Sequence, residues 1–126
     1  MKKSNVGILF KVKKEVVPVE VLEKILPQNI KFSYHAKQRM YQRKIYFNKN
    51  DFKKFTTINN LVEIQVEETT KIKFLVRAEI SEKQDITFVV NDKGNIVSCW
   101  YNKKADHKKP KNPNLYKKYN DLKAYL

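Results

Sequence analysis

The chain has 126 residues, 41% hydrophobic and 32% charged, which is the composition of a globular protein and the length of one domain. Its longest apolar runs, Val6 to Phe10 and Ile96 to Tyr101, fall well short of the about 20 residues a membrane helix needs. Twenty-seven basic against thirteen acidic residues give a formal charge of +14, which puts nucleic acid first among expected partners, while a membrane surface ranks low because Pro110 and Pro113 deny the basic C-terminal end an amphipathic helix.

The expected organisation is a single domain over 1–126, with a core at about 6–102 and a basic C-terminal segment at 103–126. Val6 to Val12 is β-branched and apolar enough for a first strand. Pro18, followed by Val19, Val21, Leu22, Ile25 and Leu26 at helical spacing, predicts a short helix stopped by Pro27. Ser33 is a suitable N-cap for a second helix from Tyr34 to about Arg43, and Asn48 or Asn50 for a third from Asp51 to Ile58. From Leu61 the period changes to two. Val62, Ile64 and Val66 alternate with Glu63, Gln65 and Glu67, and Ile72, Phe74, Val76, Ala78 and Ile80 continue the pattern.

Ile86, Phe88 and Val90 predict the next strand, and Ile96, Ser98 and Trp100 the last, with Val97, Cys99 and Tyr101 as the alternative inward face. Between these strands Asn91-Asp92-Lys93-Gly94-Asn95 suits a tight hairpin. The fold class expected is α+β, with N-terminal helices packed on one face of a twisted antiparallel sheet of about four strands. One cysteine, Cys99, excludes an intramolecular disulfide and fits a reducing compartment. The apolar stretch behind Met1-Lys2-Lys3 ends at Lys11, short of the roughly 7–15 residues of an export signal, so cytoplasmic action is expected.

The placement of the cations says more than their number. Twenty-four are Lys and three are Arg, and two of those, Arg39 and Arg43, lie one helical turn apart. From Lys103 to Lys123 there are eight Lys against two Asp, with Tyr101, Tyr116, Tyr119 and Tyr125 interleaved, a mixture able to hold phosphates and stack on unpaired bases. Arg77, Lys103, Lys104, Lys108, Lys109, Lys111 and Tyr116 are therefore the RNA-contact candidates. By alternation Arg77 points away from Phe74, Val76 and Ala78, where a solvated face or a pairing with a neighbouring Glu is the preferred reading over RNA contact.

On the second helix His35, Arg39, Gln42 and Arg43 share one face, with Ala36 and Met40 further round as the core positions. An imidazole that exchanges protons near neutral pH, beside guanidinium forks that match a phosphate, is what phosphodiester cleavage requires. His107, the other histidine, is a candidate for the second proton-transfer role. No Gly-rich phosphate loop, zinc-ligand spacing or converging set of acids is present in the sequence, so neither a metal nor another cofactor is expected.

The segment Tyr34-His35-Ala36-Lys37-Gln38-Arg39-Met40-Tyr41-Gln42-Arg43-Lys44-Ile45 resembles the His-Ala-x-x-Arg-Met-x-x-Arg-x-Ile helix of small bacterial and phage domains grouped with the barnase, EndoU, colicin and RelE-like ribonuclease superfamily. The stretch from Ile86 through Gly94 to Asn102 resembles that superfamily's final hairpin, and the likeness covers roughly residues 32 to 119. It implies a helical layer on a twisted antiparallel sheet, metal-independent RNA cleavage, and an antitoxin or immunity protein as inhibitory partner. His35, Arg39 and Arg43 match the motif's polar positions. His107 corresponds only loosely, since Lys108-Lys109-Pro110 follows it where relatives continue Thr-Leu-Asp.

The resulting expectation is a toxin-like endoribonuclease, encoded by a phage or mobile element, that cuts tRNA, mRNA or rRNA by 2′-hydroxyl attack. Its catalytic residues would be His35, Arg39, Arg43 and His107. The rival expectation is a non-catalytic module, a phage regulator or inhibitor, that binds nucleic acid or a host protein.

Overall fold

A computed structural model describes residues 7–46, 54, 56–69, 71–103 and 113–126. Its strands are β1 (Ile8–Lys13), β2 (Lys31–Phe32), β3 (Leu61–Glu67), β4 (Ile72–Glu79), β5 (Gln84–Asn91) and β6 (Asn95–Lys103). Its helices are α1 (Val19–Ile25), α2 (Tyr34–Gln42) and α3 (Tyr119–Lys123). The six strands form one sheet in the order β1-β3-β4-β5-β6-β2.

This corrects the expected fold class. The molecule is mostly sheet, six strands rather than about four, and the sheet is mixed because β2 runs parallel to β6. Its helices are short and do not form an N-terminal layer, and α3 comes from the far end of the chain. Two physical reasons explain the difference. The first strand adds to the edge of the meander, with Val12 opposite Ile64 and Phe10 opposite Val66, a long-range pairing that no local pattern announces. A two-residue strand such as β2 is too short to show a period.

The meander itself follows the alternation. Ile72, Phe74, Val76 and Ala78 of β4 are buried on one face, opposite Ile86, Phe88 and Val90 of β5. The hairpin closes on Gly94, whose φ of 88° lies in the left-handed region. The Asn91 side chain accepts from the N–H groups of Lys93 (3.0 Å) and Asn95 (2.9 Å). A Cβ at Gly94 would collide with the carbonyl oxygen of Asn29, because Lys31 N–H donates to the Gly94 carbonyl as β2 docks there.

Two bulges break the period of two. In β3 the register shifts between Leu61 and Glu63, so Leu61 enters the core while Val62, expected in the apolar row, is 39% exposed. In β6 the residue opposite Val89 is Ser98 and that opposite Val90 is Ile96, which makes Val97 the extra residue. Ile96 and Cys99 thereby reach the same buried face, a combination that neither alternation predicted for that strand allowed.

Half of the predicted third helix, residues 51–53 and 55, lies outside the described residues, and its last position, Ile58, opens a 3-10 turn, Ile58–Asn60, that leads into β3. The core also extends beyond the expected limit at 102. Leu122 of α3 is fully buried, and the Tyr125 ring meets Phe10 edge-on at 5.4 Å.

Candidate functional site

Helix α2 starts where its sequence says it should. Ser33 accepts the Ala36 N–H at 3.0 Å as N-cap, and its own hydroxyl donates to the Ile96 carbonyl of β6 at 3.1 Å. The other end is a Schellman turn. Ile45 N–H donates to the Met40 carbonyl at 2.9 Å and Lys44 N–H to that of Tyr41 at 3.2 Å, with Lys44 at a φ of 57°. Ile45 and Met40, the pair this turn brings together, are both buried. At the C-cap Arg43 Nη1 donates to the Cys99 carbonyl of β6 at 2.7 Å. The helix therefore lies along β6, tied at its first turn to residue 96 and at its last to residue 99.

This geometry sorts the motif residues. Ala36, Met40 and Ile45 pack in the core, and Arg43 fastens the helix to the sheet while its side chain stays largely exposed. His35 and Arg39 are exposed and one turn apart, with Cβ atoms about 5–6 Å from each other at this spacing. Neither side chain makes a hydrogen bond or ion pair with another described residue. On the same helix Tyr34 and Tyr41 are each 76% exposed, and Tyr46 just beyond it is 67% exposed. The first two were not singled out from the sequence. The signal available was their distance round the helix from Ala36 and Met40, which put them on the outer face.

The other predicted contacts are dispersed. Arg77 lies on the sheet face opposite the core, as alternation required, and is engaged there: Nε donates to Asp85 at 2.9 Å and Nη2 to the Lys103 carbonyl at 3.2 Å. Lys103 is exposed at the end of β6 beside it. Tyr116 is held at the far edge of the sheet, where Lys117 N–H donates to the Lys11 carbonyl (2.8 Å) and the Tyr116 hydroxyl donates to Glu63. From β1 to β6 is four strand steps, about 19 Å across the sheet, so Tyr116 and α2 do not share a site. His107, Lys104, Lys108, Lys109 and Lys111 lie outside the described residues.

Tyr116 also explains an anomaly. Glu63, expected on a wet face, is only 3% exposed, capped by Tyr116, approached by Lys11 Nζ at 3.6 Å, and accepting from Gln65 Nε2 at 2.9 Å. Burial and this bond to Glu63 push the Tyr116 phenol upward. Burial likewise pushes the Cys99 thiol up to about 12, against a weaker opposing pull from Arg43, so it is a protonated, inert core residue at neutral pH.

A groove lined by Glu23, Leu26, Pro27, Gln28, Thr56 and Ile58 opens beside α1, and among these described residues the only charge is a carboxylate, the wrong sign for phosphate. Among the described residues no three His, Cys, Asp or Glu side chains are grouped to hold a metal ion, and no helix is long and apolar enough to cross a membrane. Family models, curated proteins and solved structures give no match to this chain.

Proposed function

We propose that this chain is a small endoribonuclease of toxin-like type, acting on cytoplasmic RNA through the exposed face of α2. The observation that supports this most is the sorting of the motif. Ala36, Met40, Arg43 and Ile45 each have a structural task, whereas His35 and Arg39 stand exposed one turn apart with none among the described residues. In the reaction His35 takes the proton of a ribose 2′-hydroxyl, whose oxygen attacks the adjacent phosphorus. The bond from phosphorus to the 5′-oxygen breaks as the new one forms, leaving a 2′,3′-cyclic phosphate and a protonated 5′-hydroxyl.

Arg39 pairs its guanidinium fork with the phosphate oxygens as charge builds on them, and Arg43 adds its remaining N–H groups from the adjacent position. His107 is the sequence's candidate to protonate the leaving oxygen. The lysine-rich surface draws the substrate in, and an antitoxin or immunity protein is the partner such an activity calls for.

The test is to incubate the purified protein with tRNA and total RNA in EDTA and to characterise the fragment ends. Discrete fragments ending in 2′,3′-cyclic phosphate support the reading, and intact RNA overturns it. The second reading, a non-catalytic RNA-binding module, is favoured by one feature: no described residue hydrogen-bonds His35 to orient it. That reading predicts a salt-sensitive gel shift with RNA of unchanged length.

A further inference from the structure

We infer that the RNA held on α2 is single-stranded, with its bases stacked on Tyr34 and Tyr41 while a phosphate lies against Arg39. The inference rests on α2 being the RNA-contacting face and names the substrate class for it. Two phenol rings 76% exposed on one nine-residue helix are a large apolar surface left in water. The Tyr34 hydroxyl is tied by Gln38 Nε2 at 3.1 Å, one turn further along, which restrains the ring without covering it.

At 100° per residue Tyr34, Gln38 and Tyr41 fall within a 60° sector, and His35 and Arg39 lie 100° and 140° round from Tyr34. On a helix about 10–12 Å across, the tyrosine and arginine rows are therefore about 10 Å apart, the reach of a nucleotide from its phosphate to its base.

Charge supports a polyanion rather than a protein at this surface. From Lys24 to Asn50 the chain has no acidic residue, and Lys37, Arg39, Arg43 and Lys44 all lie on or next to α2. A duplex does not use such a surface, because its base faces are already stacked on one another and the deep groove of an RNA helix is too narrow to admit side chains. An unpaired strand presents both phosphates and open base faces.

The experiment is fluorescence anisotropy with a labelled, uncleavable 2′-O-methyl RNA 12-mer, as a single strand and as a duplex with its complement. The wild type is compared with Tyr34→Ala, Tyr41→Ala, Tyr34→Phe and Arg39→Ala, all at exposed positions and each checked for folding by circular dichroism. The single strand is expected to bind at least about tenfold tighter than the duplex. Each Tyr→Ala change should weaken single-strand binding about five- to a hundredfold and spare duplex binding, while Tyr34→Phe, which keeps the ring, stays near wild type.

Equal affinity for both forms, or wild-type affinity in both Tyr→Ala variants, overturns the inference. The two possible failures separate cleanly. If Arg39→Ala weakens both forms but the tyrosine variants do not weaken the single strand, α2 remains the RNA face and only the single-strand claim falls. If Arg39→Ala changes neither form, α2 is not the RNA face and both claims fall.

Discussion

The division of the α2 motif into residues with a structural task and exposed residues without one predicts that three alanine substitutions behave differently. Arg43→Ala removes a charge-assisted hydrogen bond of 2.7 Å to the Cys99 carbonyl and takes one partner from that buried acceptor. Hydrogen bonds to charged groups contribute about 1.5–3 kcal/mol. Because the Arg43 side chain is largely exposed, solvent screening reduces this to about 1 kcal/mol. At about 2.1 cal/mol/K per residue, 126 residues have an unfolding entropy of about 0.26 kcal/mol/K, so the expected loss is about 4 °C in Tm. His35→Ala and Arg39→Ala remove no side-chain hydrogen bond or ion pair with a described residue and should stay within about 0.5 kcal/mol of the parent. Urea unfolding of all four proteins, followed by circular dichroism, gives the comparison. A stable Arg43→Ala protein, or a His35→Ala protein destabilised as much as Arg43→Ala, would refute the sorting.

Two further predictions concern positions around that helix. Lys44 holds the left-handed conformation that ends α2, so Lys44→Gly should relieve backbone strain and stabilise the fold by about 0.5–1 kcal/mol, or about 2–4 °C in Tm; a loss of stability in thermal unfolding would count against the Schellman assignment. The Cys99 thiol ionises at about 12 in the folded protein against an ordinary 9.0, so its contribution is fully present below pH 9 and is lost as pH rises toward 12. Between pH 9 and 11 the stability of the wild type should fall relative to Cys99→Ala by about 1 kcal/mol per pH unit, read from paired urea titrations. Parallel curves for the two proteins would show that the thiol is not protected.

The parts of the fold that were legible in the sequence are those set by neighbours along the chain. Ser33 as N-cap, the Ala36 and Met40 core positions, the Gly94 hairpin and the alternation through β4 and β5 all follow from local sterics and burial. What was not legible depends on partners distant in sequence. Arg43 meets a carbonyl 56 residues away, Glu63 is buried by a tyrosine 53 residues away, and β1 joins the meander's edge across a comparable gap. The bulges at Val62 and Val97 shift the face of every residue beyond them, which no period-two count detects.

For the site, helical spacing put His35, Arg39 and Arg43 on one stretch of chain, and the structure has the first two exposed on α2 and the third at its C-cap. Spacing had no means of separating the residue that fastens the helix from the two whose side chains bond no described residue. The basic C-terminal segment looked like one surface in sequence, yet Tyr116 is used at the far sheet edge to cover a carboxylate.

The most direct test of the account is single-turnover cleavage of a tRNA in EDTA by the wild type and by His35→Ala, with RNA affinity measured on the same preparations. The account predicts a rate at least about a hundredfold lower for His35→Ala at nearly unchanged affinity, because the imidazole acts on the proton and not on the phosphate. Equal rates in the two folded proteins, or RNA bound by the wild type and never cut, would contradict it.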